Sequence, residues 1–117
     1  MSNGTLRERT KRFAVEVIRF CGSLPQTEEA RIIRRQLLRS GTSPGAHCRE
    51  AFRSRSNAEM ISKLETALQE LDETLYWMEL LVETGIVAEE RLEPYMRETD
   101  ELIAMAVASV RTIKQRR

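Results

Sequence analysis

"RRQLLRSGTSPGAHCREA", Arg34 to Ala51, is the stretch on which the fold turns. Its ends have helical spacing, but its middle holds Gly41, Pro44 and Gly45 among small polar residues. A break at Pro44 would send Ala46 to Arg53 off in a new direction. A continuous helix, at about 100° per residue, instead sorts the residues into faces. Arg31, Arg35, Arg39, Arg49 and Arg53 then share an arc of about 80°. Ile33, Leu37, Pro44, Cys48, Ala51 and Phe52 take the core side. Gln36, Ser40, Ser43, His47 and Glu50 form a polar stripe beside that core, spaced 4, 3, 4, 3. So ordered a sorting predicts one helix over residues 28–53.

The rest of the chain supplies partners for it. A first helix is predicted over residues 5–24, with Leu6, Phe13, Val17, Phe20, Cys21 and Leu24 inward. Pro25 ends it, and Thr27 is the N-cap of the next, ahead of Glu28 and Glu29 at the positive end of the helix dipole. A third helix over residues 57–84 starts at the capping box Ser56-Asn57-Ala58-Glu59. Its seam is read as Ile61, Leu64, Leu68, Leu71, Leu75, Met78 and Val82, and Gly85 stops it. A fourth, over residues 88–115, turns Leu92, Tyr95, Met96, Thr99, Leu102, Ile103, Ala106, Val110 and Ile113 inward; Pro94 either sits in its first turn or bends it. Short connections place sequential helices antiparallel, so the fold class is all-α, an up-down-up-down four-helix bundle over residues 1–117 as one domain.

The third helix carries a second polar stripe, Lys63, Thr66, Glu70, Glu73 and Trp77, beside its leucine seam. Two such stripes on antiparallel helices can hydrogen-bond along their contact. Buried carboxylates at Glu70 and Glu73 need donors, and a buried Trp77 indole needs an acceptor. The stripes therefore read as a structural network that fixes helix register, with Glu73 and Trp77 against the Gln36–Ser43 stretch. One histidine and two glutamates make no nucleophile, base and orienter set.

Composition narrows the function classes. The chain has 117 residues, 41% hydrophobic and 32% charged, which suits a helix-rich domain with one core. No apolar run is long enough to span a bilayer, and the N-terminal stretch does not read as a secretory signal, so the expected location is cytoplasmic. Cys21 and Cys48 read as buried free thiols, and one histidine gives too few ligands for a His/Cys metal cluster; no metal or cofactor is expected. Net charge is +1, but unevenly spread. Residues 1–58 hold 12 Lys and Arg against 5 Asp and Glu, and residues 59–117 hold 7 against 13. Met60, Ile32, Leu38, Leu80, Ile86 and Met105 lie off the main seams and suggest a further interface.

In combination, "RTKRFAVEVIRFCGSLP", "RRQLLRSGTSPGAHCREA" and "ETLYWMELL" resemble the four-helix bundle proteins encoded in intervening sequences of bacterial 23S ribosomal RNA genes. The resemblance covers about residues 5–113. It rests on Gln36, Leu37, Arg39, Ser40, Thr42, Ser43, Ala46, Glu50 and Ala51, then Glu73, Thr74, Tyr76, Trp77, Glu79, Leu80 and Leu81. His47 departs from it, standing where the family usually has Asn. The resemblance implies an antiparallel bundle, assembly as a ring-like homopentamer and no enzymatic activity. A related branch, the accessory proteins of diversity-generating retroelements, binds a reverse transcriptase and nucleic acid through a basic surface.

Two functions stay open at this point. One is nucleic-acid binding, RNA or DNA, by Arg31, Arg35, Arg39, Arg49, Arg53 and Arg55, helped by Arg7, Arg9, Lys11, Arg12, Lys114, Arg116 and Arg117. Guanidinium forks suit phosphates, and no aromatic platform for stacked bases is present. The other is an adaptor for a partner protein, in which the basic half pairs with the acidic half of a neighbouring subunit. An arginine face open to solvent favours the first, and one buried against Asp72, Glu83, Glu98 or Glu101 of a neighbour favours the second.

Overall fold

The computed structural model describes residues 4–116; Met1 to Asn3 and Arg117 lie outside it. The chain folds into α1 (Leu6–Cys21), α2 (Glu28–Ala51), α3 (Asn57–Glu83) and α4 (Glu89–Lys114), with no strand among the described residues. Three starts are capped by side chains that accept from free first-turn amides. Thr5 accepts from Glu8 in a full capping box, Thr27 from Ala30 at 3.2 Å, and Ser56 from Glu59 at 3.1 Å. The Ser56 box is half made, because the Glu59 carboxylate takes the Arg55 amide instead. Gly85, at φ 76°, turns the chain after α3 as expected.

Two expected boundaries move. Helix α1 stops at Cys21, not Leu24, because Gly22 caps it and the Ser23 hydroxyl bonds the Phe20 carbonyl at 2.6 Å; Leu24 is still buried. Helix α2 stops at Ala51, not Arg53. Phe52 is therefore a cap residue, 42% exposed, and not part of the core as expected. Pro94 occupies the second turn of α4, where it removes the N–H that would reach Glu90.

Neighbours in sequence are neighbours in space, and the diagonal pairs α1–α3 and α2–α4 make no direct backbone contact. Residues 39, 47 and 50 of α2 meet 73, 70 and 63 of α3, one number rising as the other falls. Helices α1 and α4 behave alike, since Arg9 meets Glu101 and Phe20 meets Tyr95. The helices are thus antiparallel, in a bundle about 49 × 24 × 20 Å.

The stretch that posed the question is one helix through Pro44, which is itself buried. Its glycines serve α1, not α3. A Cβ at Gly41 would stand 2.9 Å from Val17, and one at Gly45 would stand 3.3 Å from the Thr10 carbonyl oxygen. Thr42 and Ser43 turn their hydroxyls back to the Leu38 and Arg39 carbonyls, both at 2.6 Å. On α3 the expected seam residues Ile61, Leu64, Leu71 and Met78 are buried, joined by Ala67, Thr74 and Leu81, while Leu68, Leu75 and Val82, expected in the seam, are half-buried. The buried face is wider than one seam because α3 packs between α2 and α4, with Thr74 meeting Ser40 on the α2 side. Of the off-seam residues, Met60, Leu38, Leu80, Ile86 and Met105 pack half-buried on the core margin, and only Ile32 stays open at 53%. The other large exposed apolar side chains are Val15, Ile18, Phe52, Tyr76 and Val107.

Candidate nucleic-acid interface

The outward side of α2 is set by its inward side. With Leu37, Gly41, Pro44 and Cys48 in the core, the residues half a turn away must face solvent. Arg31, Arg35, Arg39, Arg49 and Arg53 are all exposed there, and Arg55 follows just past the helix end. Arg31 donates to the Gln26 carbonyl at 3.2 Å. Arg39 is committed across the seam to Glu73. Among the described residues, Arg31, Arg35, Arg49, Arg53 and Arg55 have no carboxylate partner within 4 Å.

Topology adds to this face at one end. The start of α1, the end of α2 and the end of α4 lie together: Arg7 sits 5.9 Å over the Phe52 ring, and Phe52, Met60, Thr112 and Arg116 border one notch. Arg7, Lys11, Arg49, Arg53, Arg55, Lys114 and Arg116 are exposed in that region. Arg9 is not part of it. It is buried between α1 and α4, donating to Glu98 at 2.7 Å and Glu101 at 2.6 Å. Arg117 lies outside the described residues.

The two polar stripes do meet. Thr74 donates to Ser40 at 2.9 Å, both buried, and Lys63 pairs with Glu50 at 3.0 Å. Glu73 accepts from Arg39 and, at 3.0 Å, from the indole of Trp77 on its own helix. Arg39 and then Trp77 hold the Glu73 carboxyl below the usual range, as Lys63 does for Glu50. Gln36 takes only a long contact from Arg39, at 3.5 Å, and Thr66 bonds its own helix at Ser62. Ser43, a member of the α2 stripe, bonds its own backbone and not α3.

His47 is the imperfect point of this seam. Its Nε2 lies 3.4 Å from Glu70 Oε1 and its Nδ1 3.6 Å from Glu50 Oε1. His47 Nδ1 and Glu70 Oε1 are buried without a hydrogen-bond partner. Burial raises the Glu70 carboxyl against the pull of His47 and Arg39. Burial likewise pushes the Cys21 and Cys48 thiols up to about 11, which makes them poor nucleophiles. Among the described residues no cluster of three or more His, Cys, Asp or Glu could hold a metal ion, and no helix is long and apolar enough to cross a membrane.

Sequence reasoning missed the Arg9 clamp. Its signal was positional: Arg9 lies three residues after Leu6 and four before Phe13, on the buried face of α1.

A family model described as 23S rRNA-intervening sequence protein matches residues 5–108. A crystal structure of a protein of unknown function from the S23 ribosomal protein family of Bacteroides thetaiotaomicron superposes with a TM-score of 0.86 at 33% identity. The match covers 91% of this chain and 98% of that one. No curated protein matches the chain. Fold, match length and sequence agree, and the chain belongs to the 23S rRNA-intervening sequence protein family.

Proposed function

We propose that this chain is a non-enzymatic, cytoplasmic bundle protein that assembles with itself and binds nucleic acid through phosphate contacts on α2. The observation that carries this reading is the row Arg31, Arg35, Arg49, Arg53 and Arg55, exposed and without carboxylate partners among the described residues. Guanidinium groups are well matched to phosphate oxygens, and nothing on this face resembles a base reader. The family description names 23S rRNA, which makes RNA the first nucleic acid to try. The ring of five implied by the resemblance would repeat the face around an axis and raise a weak contact by avidity, about a hundredfold or more. The adaptor reading competes wherever a neighbouring subunit covers these arginines.

The test is RNA of unrelated sequence against the assembled protein at about 50 mM salt. Micromolar binding is expected, weakening linearly in log salt. Reversing Arg35 and Arg49 to Glu should weaken it alike for every sequence. No binding would overturn the proposal and leave the adaptor. Unchanged binding in the double variant would move the site to the basic end around Arg7, Lys11 and Arg116.

A further inference from the structure

Helices α1 and α4 are the least closely packed neighbours of the bundle. They are tied at one end by Arg9 with Glu98 and Glu101, and at the other by Arg91 with Ser23 and by Phe20 against Tyr95. Between the ties runs an open groove of about 950 Å³. Phe13, Val15, Pro94 and Tyr95 give it an apolar floor, and Arg12, Arg19, Arg91 and Arg97 line it from both helices. Its four arginines, with Arg9 bound to Glu98 and Glu101, outnumber its three carboxylates, so the groove keeps a positive excess although Arg19 pairs with Glu16 at 3.5 Å and Arg97 with Glu93 at 2.8 Å.

The same chain carries the complement. On α3, Glu65, Gln69, Asp72, Tyr76, Glu79 and Glu83 recur at alternating spacings of 4 and 3, all exposed, as one outward stripe. Tyr76 is its only large apolar member, 52% exposed and supported edge-on by Trp77 at 5.0 Å. Glu65 reaches Lys114 at 3.7 Å; among the described residues Asp72, Glu79 and Glu83 have no cationic partner within 4 Å.

We propose that the acidic outer face of α3 in one copy docks into the α1–α4 groove of the next, Tyr76 on the apolar floor and Asp72 and Glu79 against the arginine rims. This rests on the self-assembly part of the function proposed above and names its contact. The α2 arginines fit the acidic face less well: Ile32 and Phe52 are exposed near them, but far apart along a convex helix surface and not as the floor of a groove. Burying an aromatic ring in a fitted pocket, with charges at the rim, is the usual anatomy of a stable contact. Donor and acceptor surfaces differ, so the contact is head-to-tail, and copies close into a ring or run on as a filament. It leaves the α2 arginine face uncovered.

Light scattering on three proteins tests it. The parent should be oligomeric at micromolar concentration. Arg19→Glu with Arg97→Glu should be monomeric, and so should Asp72→Arg with Glu79→Arg, each with parental helix content. Equimolar mixing of the two variants should restore assembly, because each retains one working face and the two reversed faces again carry opposite charge. A monomeric parent, an assembled variant or a silent mixture overturns the contact. If either variant fails to fold, Val15→Cys and Tyr76→Cys chains are mixed and oxidised instead. A disulfide between positions 15 and 76 of different copies supports the contact, and no such bond overturns it. Filter binding of RNA by the same proteins keeps the two proposals apart: an assembled parent that binds no RNA removes the function and spares the contact.

Discussion

At the scale of single residues, size and charge burial decide most. Gly41 holds α1 against α2, since any Cβ there meets Val17 at 2.9 Å. Gly41→Ala gains helix propensity, about 1 kcal/mol, but overpacks the crossing by about 1–3 kcal/mol. A net loss of stability is expected, and Val17→Ala in the same chain should recover part of it. A urea series on both singles and the double measures that coupling; strict additivity would show that the crossing relaxes freely. Glu70 gives the opposite sign. Burial raises its carboxyl, so the folded chain holds that proton more tightly than the unfolded chain. Its stabilising share is complete below the unfolded glutamate value, about 4.3, and is lost as pH rises through the folded value. Glu70→Gln should therefore stabilise the protein near neutrality, on the order of 1 kcal/mol, and little in acid. Urea midpoints for parent and variant at about pH 4 and pH 7 decide it, and an equal difference at both would refute the assignment.

At the scale of helices, the weakest joint has the most concentrated tie. Arg9, 7% exposed at its side chain, serves Glu98 and Glu101 on α4 and touches the Met105 sulfur. The pair itself adds little relative to an apolar substitute, but removing one partner strands the other. Arg9→Ala should cost about 3–5 kcal/mol. Lys11→Ala, one turn-face away and exposed, should stay within about 0.5 kcal/mol. Chemical denaturation of both checks the contrast. The four helices, the Thr27 and Ser56 caps and the antiparallel order were legible in sequence, because period and cap chemistry are local. The polar stripes were legible for the same reason, at Ser40 with Thr74 and at Glu50 with Lys63. What escaped was set by packing between elements. Gly41 and Gly45 show a need for closeness without saying to whom, and α1, not α3, turned out to be the neighbour. Arg9 carries a surface-type side chain on a buried position, which only its partners on α4 explain.

At the scale of the molecule, charge is sorted by helix and by end. Carboxylates gather on the outside of α3 and arginines on the outside of α2, while the basic ends of α1, α2 and α4 come together. From Arg31 to Arg53 the arginine face runs about 33 Å at 1.5 Å per residue. That length spans a run of phosphates, so binding should be a sum of separate contacts. Each lost contact should lower the salt slope by about 0.9 on duplex or about 0.7 on a single strand. Arg35→Ala and Arg49→Ala should each do so, and together should do so additively, since about 21 Å of helix separates them. Arg39→Ala should change the slope less, because Glu73 already holds that guanidinium. The same substitution frees Glu73, so it should lower thermal stability where Arg35→Ala does not. Salt titrations of the three variants, read with their melting curves, make a two-way comparison. If Arg39→Ala flattened the slope as much as Arg35→Ala, the Glu73 pair would open on binding, and the seam between α2 and α3 would be part of the interface.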